Sequence, residues 1–593
     1  MTLATVRAPE DVRALPAAEL PALAAVLREE MIATVSKTGG HLASSLGAVE
    51  LAIGLLRVFD PMKDRIVWDV GHQAYAWKML TGRRDDFGTL RSLGGLSGFC
   101  NPEESPCDAF ISGHAGNALA AAEGFAAARD MDGGCGHVVA VVGDAALANG
   151  ESLEALCNCT SLRGRIVMVV NDNTTSTSRN GGSFARLLSA ARNGDHAAAD
   201  TFFNAFGMRY LGPVDGHDIG AVEDALRAAC DWDGNVVVHA VTVKGRGFPP
   251  AERDPAAWHG VGPFDLVRAT KEEGHAESVS QGWSESFGAA LCALARQDGR
   301  ICALTAAMPG GTGLTAFAQE FPDRFFDVGI CESLLVTFAA GLAKAGRRPV
   351  VAVYSAFLQR AIDQVMHDVC LLGLPVVFAI DRAGCVGADG RTHHGMFDIP
   401  MLRCLPNLAI MQPKDAEELA DMLAAAVAQD GPVAIRYPKG SVPACLNGFK
   451  GFNGLNGLKD FKAEQLLKPD APLQIWALGD QVPKALEVAR ILGEGGVEAG
   501  VVNARSIKPV DCALLSRQAS QGARIATLEN GAIAGGFGSA VQEAVPGVPV
   551  IRFGWPDQFI AHGTVAELES AYGLTARQIA ERLLSELPDL MTP

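Results

Sequence analysis

The sequence predicts an α/β protein whose sheets are mainly parallel. Short apolar runs at 138–142 and 166–170 have the length and composition of buried strands, and the segment 151–162 between them has the spacing of a helix. A strand, a crossover helix and a second strand normally lie with the two strands side by side and parallel. Strand and helix patterns keep alternating along the chain, so we expect the whole protein to be built from α/β domains.

The length of 593 residues is too great for one hydrophobic core and predicts about three or four domains of ~150 residues. Composition marks two breaks, a polar segment and a Gly/Asn/Lys-rich segment, which we interpret as linkers. The predicted order is an N-terminal domain at 1–268, a linker at 269–281, a second domain at 282–447, a linker at 448–470 and a C-terminal domain at 471–593.

Individual elements of the later domains can also be predicted. The apolar runs 350–354 and 376–380 are candidate strands of the second domain, and each is followed by a helical or turn pattern. The third domain starts with the apolar run 473–479 and ends in an amphipathic helix.

The net charge and the spacing of the cysteines indicate which partners and which cellular compartment the protein has. With 50 basic and 67 acidic residues the net charge is −17, which disfavours binding to nucleic acid or to an anionic membrane. The 14 cysteines form no CxxC pair, so we interpret them as reduced packing residues of a cytosolic protein. The N-terminus lacks the apolar core of a signal peptide, and no apolar run approaches the ~18 residues of a membrane span. We expect a soluble, cytoplasmic protein that acts on small molecules.

Two side chains that carry oxygen follow the strands of the first unit. Asp144 comes just after the first run, and Asn173, in the motif Asn-Asp-Asn, comes 29 residues later. Ligands of open α/β sheets bind at the carboxyl ends of the strands, and Mg²⁺ prefers carboxylate, amide and phosphate oxygens. The pattern is typical of a Mg²⁺ site that holds a diphosphate. From spacing alone, a helix cap at Asp144 and an ordinary turn at 171–173 explain it equally well.

Glu332 lies between an apolar strand pattern and an apolar helix pattern. Burial at such a place disfavours the charged carboxylate and raises its pKa, which suits a group that exchanges protons near neutral pH. The alternative is an ordinary acid in the first turn of a helix, where the helix dipole favours negative charge. Glu332 in isolation fits both interpretations equally.

Other candidate residues also have a structural alternative. Tyr354 and Phe357 could form an aromatic face that stacks on a ring, or they could belong to the core. An acidic protein needs local cations to hold a phosphorylated substrate, and each of the candidates could instead be a salt-bridge partner: Arg360, Arg382 and Arg436 or Lys439. His41 lies between two glycines and several small residues, which lets backbone and ligand approach closely, although a lone histidine is more often structural.

A series of motifs runs through nearly the whole chain. They are KTGGHLASSLG (37–47), DRIVWDVGHQAY (64–75), LTGRRD (80–85), GPVDGHD (212–218), KGRGF (244–248), FPDRFFDV (321–328), YSAFLQRAIDQVMHD (354–368), IDRAGCVGADGRTHHG (380–395) and RYPKG (436–440). Together with Asp144 and the Asn-Asp-Asn motif, they resemble the 1-deoxy-D-xylulose-5-phosphate synthase family in composition and in order. The chain looks like a divergent member of that family.

The resemblance implies three α/β domains of the transketolase-like type, two that bind the two ends of thiamine diphosphate and one at the C-terminus. It implies a transferase that needs thiamine diphosphate and Mg²⁺ and joins pyruvate, a 2-oxo acid donor, to glyceraldehyde 3-phosphate, a phosphorylated aldehyde acceptor, with loss of carbon dioxide. That reaction begins the non-mevalonate route to isoprenoid precursors and feeds thiamine and pyridoxal synthesis. A homodimer is also implied, with each active site between the first two domains of one chain.

The resemblance assigns roles to single residues as well. Glu332 is implied to hydrogen-bond the aminopyrimidine ring and to promote the tautomer that takes the thiazolium proton. His41 is implied to handle protons on the acceptor, and Asp389 and His393 to orient the acceptor aldehyde and its hydroxyl. The implied ligand sets are, for the metal, Asp144, Asn173 and Thr175; for the cofactor, His72, Gly113, His114, Ala115, Asp144, Ala145, Ala146, Asn173, Phe248, Glu332, Tyr354 and Phe357; and for the substrates, His41, His259, Tyr354, Arg360, Arg382, Asp389, His393 and Arg436.

Four departures from the family pattern lie near these residues. Ala145 and Ala115 replace a glycine and a serine of the cofactor loops, Pro102 replaces an arginine near the donor, and Ser333-Leu334 replaces Gln-His after Glu332, which we expect to make that wall more apolar. A donor carboxylate needs a cation until decarboxylation, so Pro102 weakens the case for pyruvate.

Two alternatives therefore stay open. One is a related ketol or acyloin transferase with a different donor or acceptor, and the other is a non-catalytic paralogue. The paralogue is disfavoured because the chemical groups are retained together.

The chain between Asn180 and Ala205 is also shorter than the mobile loop of the family, which is expected to cover the active site, so water exclusion could differ.

Overall fold

The computed structural model describes residues 5–161, 164–174, 181–270, 282–443 and 462–590. The chain divides into two compact units. One comprises Met1–Glu277 and Gly329–Cys331, and the other comprises Ser278–Val328 and Glu332–Pro593. Among the described residues, no helix is long and apolar enough to cross a membrane.

The first unit is built on a parallel sheet. Its described strands are β1 (Arg65–Trp68), β2 (Val138–Gly143), β3 (Val167–Asp172), β4 (Met208–Asp215) and β5 (Asn235–Val241). Their order is β1-β2-β3-β5-β4, and every neighbouring pair is parallel. The pairing of β2 with β3 places Gly143 opposite Asn171 and confirms the predicted strand–helix–strand unit. All carboxyl ends therefore lie along one edge, where Asp144 and Asn173 follow their strands.

Both faces of this sheet are covered. Val139 and Val141 of β2 pack into one hydrophobic core, and Val138 and Val142 pack into another, which explains why the strand is an unbroken apolar run. The described helices of this unit are α1 (Pro9–Ala14), α2 (Leu20–Thr38), α3 (Leu42–Gly47), α4 (Val49–Val58), α5 (Tyr75–Lys78), α6 (Ala118–Met131), α7 (Gly150–Asn158), α8 (Gly182–Arg192), α9 (His196–Ala205), α10 (Ile219–Asp231), α11 (Pro249–Arg253) and α12 (Leu266–Thr270).

Three of these helices differ from the prediction. The crossover helix α7 is capped by the Asn149 side chain, which accepts from the backbone N–H of Glu151, and the helix ends at Asn158 rather than at 162. Residues 162–163 lie outside the described range. The shortened segment before Ala205, expected as a loop, contains α8 and α9.

The second unit contains two sheets. Its described strands are β6 (Ile301–Thr305), β7 (Phe325–Asp327), β8 (Arg348–Tyr354), β9 (Val377–Asp381), β10 (Ala409–Met411), β11 (Val433–Arg436), β12 (Glu464–Leu467), β13 (Leu473–Ala477), β14 (Ala499–Asn503), β15 (Ser506–Lys508), β16 (Arg524–Ala532) and β17 (Val550–Trp555). The first sheet has the order β15-β10-β11-β9-β8-β6-β7, and the second has the order β12-β14-β13-β16-β17. Their pairs are parallel except β10 with β15 and β12 with β14.

Helices surround these two sheets. Those described are α13 (Trp283–Gln297), α14 (Thr315–Glu320), α15 (Glu332–Lys344), α16 (Ser355–Leu358), α17 (Ile362–Gln364), α18 (Asp398–Arg403), α19 (Ala416–Val427), α20 (Val482–Glu494), α21 (Cys512–Ser520), α22 (Phe537–Ala544), α23 (Val565–Ala571) and α24 (Ala576–Glu586). The amphipathic helix expected near the C-terminus is α24, which buries Ile579, Ala580 and Leu583.

The boundary after the second domain needs a correction. Strand β12 lies inside the predicted linker 448–470 and pairs with β14, so the C-terminal sheet begins earlier than 471. Strand β15, from the C-terminal part, completes the edge of the preceding sheet through β10. Because β15 follows the predicted boundary but pairs within the preceding sheet, the two predicted domains form one compact unit.

Candidate active site

In the first unit, Asp144 and the turn after β3 are brought together as predicted. The carboxylate of Asp144 accepts hydrogen bonds from the backbone N–H groups of Ala145 (3.0 Å) and Thr174 (2.9 Å). Thr174 has φ +67°, an uncommon conformation for a β-branched residue and one that tends to occur at functional sites. The turn that carries Asn173 is thus held directly against Asp144. Thr175, the third predicted metal ligand, lies outside the described residues.

The other two residues of the Asn-Asp-Asn motif face the protein. Asn171 donates to the Oε1 of Gln73 (2.7 Å) and accepts from the hydroxyl of Thr242 (2.5 Å). Asp172 is fully buried and accepts from His239 Nε2 at 2.9 Å. These bonds fix the strand end from which Asn173 projects.

Three histidines predicted from separate motifs form one cluster. The ring centroids of His41, His72 and His259 are 5.2 to 6.0 Å apart. The Nζ atom of Lys244 lies 3.0 Å from the Nδ1 atom of His259. Burial, followed by the nearby Lys244, lowers the pKa of His259 well below 6.5, so this ring is neutral at physiological pH. Burial also lowers the pKa of Lys244 to about 8, although Asp144 opposes the shift.

Lys244 is a residue that sequence reasoning missed. It belongs to the motif KGRGF, in which the family resemblance implies a role only for Phe248. Phe248 is 4% exposed and packs edge-on against Trp258 at 5.0 Å, so its ring belongs to the core and offers little surface to a ligand. The signal for Lys244 was its place just after β5, at the same sheet edge as Asp144.

The segment with Gly113, His114 and Ala115 is held by a further carboxylate. Asp69, directly after β1, accepts from the backbone N–H groups of Gly116 (3.0 and 2.9 Å) and Ala118 (3.2 Å). Gly113 and Gly116 have φ of +142° and +96°, which glycine adopts without strain. A Cβ at Gly116 would overlap Oδ1 of Asn149, so this glycine lets the loop pack closely against the Asn149 side chain.

In the second unit, Glu332 is the first residue of α15 and is 5% exposed. Its Oε2 has no hydrogen-bond partner among the described residues. Burial raises the pKa of this carboxyl, and the charge of Arg360 only partly opposes the shift. A buried oxygen without a partner costs free energy, so its presence points to a ligand atom that satisfies it. The structure confirms the burial and the raised pKa expected from the sequence.

A row of aromatic and cationic groups lies in the same unit. The rings of Tyr354 and Phe357 stack at 5.5 Å, and Phe357 contacts His393 edge-on at 5.5 Å. The guanidinium of Arg382 lies 3.8 Å from the centroid of the Tyr354 ring and donates to the carbonyl of Gly311 at 2.8 Å. Lys439 places its Nζ 3.6 Å from Asp389. The predicted acceptor-side residues Tyr354, Arg382 and His393 are thus adjacent.

Arg436, predicted to bind substrate, is instead a structural residue. Its side chain is 1% exposed, and its guanidinium donates to both oxygens of Asp398 at 2.9 Å and to Asn530 at 2.5 Å. A further bond goes to Gln412. These bonds to protein atoms use four of the five N–H donors of the guanidinium, and the buried side chain offers no open face to a phosphate. Lys439, the alternative cation of the same motif, keeps 43% of its side chain exposed.

Comparison with known proteins decides the family. Models match 1-deoxy-D-xylulose-5-phosphate synthase over 3–199 and 194–242, the pyrimidine-binding domain of transketolase over 280–444, and the C-terminal domain of transketolase over 462–579. The 1-deoxy-D-xylulose-5-phosphate synthase 1 of Geobacter metallireducens is 44% identical over 98% of both chains, and the synthase of Desulforudis audaxviator is 46% identical over 97% of this chain and 96% of its own. The chain belongs to the 1-deoxy-D-xylulose-5-phosphate synthase family.

The family assignment also confirms the transketolase-like fold expected from the motifs, since the two later parts of the chain match transketolase domains. A solved transketolase from Campylobacter jejuni aligns with 96% of this chain and 99% of its own at 18% identity, with a TM-score of 0.46. At that score it adds no weight to the assignment.

Two departures from the family pattern are accommodated without distortion. Ala145 has φ −71° and ψ −37°, so its backbone does not need the glycine of other members, and Ala146 beside it is buried. Leu334 does not line the wall beside Glu332 as predicted: it is 53% exposed, because residues two apart on a helix face different directions. Ser333 donates from its hydroxyl to the carbonyl of Arg360 at 3.1 Å.

Pro102, which replaces the family's arginine, is exposed on a segment whose neighbouring charges are paired. Lys78 contacts Glu104 at 2.5 Å, and Arg83 contacts Asp108 at 2.6 Å. Both cations are nearly or fully buried. This segment is therefore rigidly held, and Pro102 presents no charge where other family members have an arginine.

The two cations of RYPKG should respond differently to removal. Arg436→Met leaves Asp398 buried without its partner, and we expect a loss of about 3–5 kcal/mol, seen as a large fall in melting temperature. The matched variant Lys439→Met should keep the melting temperature and raise KM for a phosphorylated acceptor. An Arg436→Met protein that has the melting temperature of wild type and differs only in KM would show that Arg436 binds substrate, as the sequence predicts.

Proposed function

We propose that this protein is a 1-deoxy-D-xylulose-5-phosphate synthase that uses thiamine diphosphate and Mg²⁺ to condense pyruvate with glyceraldehyde 3-phosphate, releasing carbon dioxide. The observation that carries the proposal is Glu332. In a chain of this family, a buried carboxyl with a raised pKa and one oxygen that no described residue bonds is suited to a ligand nitrogen. The reaction is the entry step to isoprenoid precursors that the resemblance implied.

The cofactor, when bound, supplies the electron sink for loss of carbon dioxide from a 2-oxo acid. Glu332 would hold the aminopyrimidine end of the cofactor, where its carboxyl can hold and release a proton. Because burial raises the pKa of Glu332, this carboxyl stays protonated at a pH closer to neutral than a carboxyl in water does. Tyr354 and Phe357 offer a stacked aromatic face for a flat ring.

Asp144 and Asn173 are the proposed Mg²⁺ ligands. The turn 171–174 is bonded to the Asp144 carboxylate, which supports a carboxylate and an amide oxygen at one site. Mg²⁺ keeps near-octahedral geometry, so diphosphate oxygens and water would complete its shell. The loops with Gly113–Ala115 and Ala145–Ala146 line the same sheet edge and suit the diphosphate. Thr175 stays a prediction from the sequence.

The substrates are assigned to two groups of residues. Arg382 and Lys439 bind the acceptor phosphate, Arg360 adds positive charge, and Asp389 and His393 orient the aldehyde and its hydroxyl. In the first unit, His41 handles protons on the acceptor, His259 faces the acceptor and His72 contacts the cofactor. Burial and the nearby Lys244 lower the pKa of His259, and its neutral ring can donate one hydrogen bond and accept another.

A different donor is the second candidate, and the uncharged Pro102 is the observation that favours it. The test is a panel of pyruvate, longer 2-oxo acids, hydroxypyruvate and ketose phosphates, each with glyceraldehyde 3-phosphate, followed by donor consumption. We expect pyruvate to give the highest kcat/KM. Consumption of a ketose phosphate with pyruvate untouched would replace the synthase by a transketolase-type transfer. A Glu332→Gln variant controls for background with each donor.

We also propose that the protein is a cytoplasmic homodimer. Apart from the family resemblance, the support is a set of exposed apolar side chains on α15 and on the segment 366–372. A hydrogen bond of 2.5 Å between Thr337 and Asp368 joins these two parts. The exposed side chains are Leu334, Phe338, Met366, Leu371 and Leu372. Exposed apolar patches commonly mark interfaces. Light scattering should give twice the 62.0 kDa mass of one chain, and Leu371→Asp should shift it to one chain. A wild-type mass of one chain would contradict the dimer.

A further inference from the structure

We propose that Arg192 is a positioning residue for the metal site, so that helices α8 and α9 brace the turn that carries Asn173. The inference concerns residues outside the predicted ligand sets and rests on the Mg²⁺ site of the proposed function. It gives the shortened segment before Ala205 a role different from the mobile cover expected from the sequence.

The first contact is direct. Arg192, the last residue of α8, pairs through Nη1 with the carboxylate of Asp172. Asp172 is completely buried, and its other oxygen accepts from the backbone N–H of Thr174 at 3.3 Å. Asp172 is the last residue of β3, and Asn173 follows it in the turn to Thr174. Because the Asp172 carboxylate contacts both Arg192 and the backbone of Thr174, holding Asp172 in place also holds the turn that carries Asn173.

A second route reaches the same carboxylate from α9. Phe203 is buried and stacks on Tyr210, with ring centroids 5.7 Å apart and planes inclined by 4°. The hydroxyl of Tyr210 lies 2.7 Å from Nδ1 of His239, whose Nε2 lies 2.9 Å from Asp172. Since an ionised carboxylate only accepts, Nε2 of His239 donates to Asp172 and Nδ1 accepts from Tyr210.

The two helices are anchored rather than loosely attached. Leu188 and Ala191 of α8 and Ala199 and Phe203 of α9 are buried in the same hydrophobic core as β2 and β3. The segment thus packs under the strands whose ends carry Asp144 and Asn173. Residues that hold metal ligands in place typically change metal affinity by about 10- to 100-fold when they are mutated.

The experiment compares two arginines of the same helix. Arg192→Ala removes the contact with Asp172, whereas Arg186→Ala removes an exposed arginine of the same helix that donates to the Ser183 hydroxyl at 3.2 Å. Calorimetry of thiamine diphosphate binding at limiting and at saturating Mg²⁺ gives the metal dependence without turnover. We expect Arg192→Ala to need about 10- to 100-fold more Mg²⁺ for half-maximal binding, with affinity restored at saturating Mg²⁺, and Arg186→Ala to match wild type.

The outcomes separate this inference from the proposed function. Wild-type protein whose thiamine diphosphate binding does not depend on Mg²⁺ would overturn both. Mg²⁺-dependent wild-type binding with Arg192→Ala equal to Arg186→Ala would overturn only the role of Arg192. If circular dichroism shows that Arg192→Ala is unfolded, Arg192→Lys decides in the same way: it keeps the charge but not the planar fork, and a several-fold higher Mg²⁺ requirement is expected.

Discussion

Replacing Glu332 by Gln lowers kcat by about 10²- to 10⁴-fold, because the amide cannot exchange the proton that the carboxyl donates and takes back. The same variant should melt at a higher temperature than wild type at alkaline pH. The charged carboxylate of wild type is buried there, whereas Gln carries no charge. Loss of activity together with a gain of stability is the expected signature of a group placed for chemistry.

The pH dependence of this gain follows from the raised pKa of Glu332. A carboxyl whose pKa is higher in the folded than in the unfolded protein stabilises the fold at low pH, and that stabilisation is lost as the pH rises through the folded pKa. The difference in melting temperature between the variant and wild type should therefore grow as the pH is raised. Glu417→Gln, at an exposed position in the first turn of α19, is the matched control and should change neither property. A Glu332→Gln protein with normal kcat, or one that melts below wild type at alkaline pH, would contradict this role.

Replacing Asp144 by Asn should have an effect of similar size on the other unit. Loss of the carboxylate weakens the proposed Mg²⁺ site, and we expect kcat/KM to fall by about 10³-fold at limiting Mg²⁺. Raising Mg²⁺ should recover part of the loss, because the amide oxygen still coordinates weakly. Kinetic titration with Mg²⁺ measures both effects.

Asp215→Asn provides the comparison for Asp144. Asp215 is also an acid at the carboxyl end of a strand in the same sheet, but it lies on the edge strand β4 and is exposed. Its replacement should leave the Mg²⁺ dependence unchanged. If Asp144→Asn and Asp215→Asn have equal kinetics, Asp144 is the helix-cap residue of the alternative interpretation.

Features that depend on local pattern could be predicted from the sequence. The unbroken apolar runs located β2 and β3, and parallel pairing then placed Asp144 beside the turn of Asn173. The apolar surroundings of Glu332 correctly indicated burial and a raised pKa. In each case the residues that set the environment are neighbours in sequence or in one supersecondary unit.

Features that depend on distant partners could not be predicted. The guanidinium of Arg436 bonds Asp398, Gln412 and Asn530, which come from separate elements of the second unit. No pattern near Arg436 in the sequence indicates these partners. Lys244 and His259 come from separate segments, and only folding places the Lys244 Nζ 3.0 Å from the His259 ring. Strand β12 is short and only partly apolar, so its pairing with β14, rather than its own pattern, makes it a strand.

The most direct test of the central proposal is to follow labelled carbon from donor to product. Wild-type protein with thiamine diphosphate, Mg²⁺, pyruvate labelled at its carbonyl carbon and glyceraldehyde 3-phosphate should release unlabelled carbon dioxide. It should also form a five-carbon deoxyketose phosphate that carries the label, identified by mass spectrometry. Absence of both products from protein that binds the cofactor, under conditions in which a known synthase forms them, would contradict the proposed reaction.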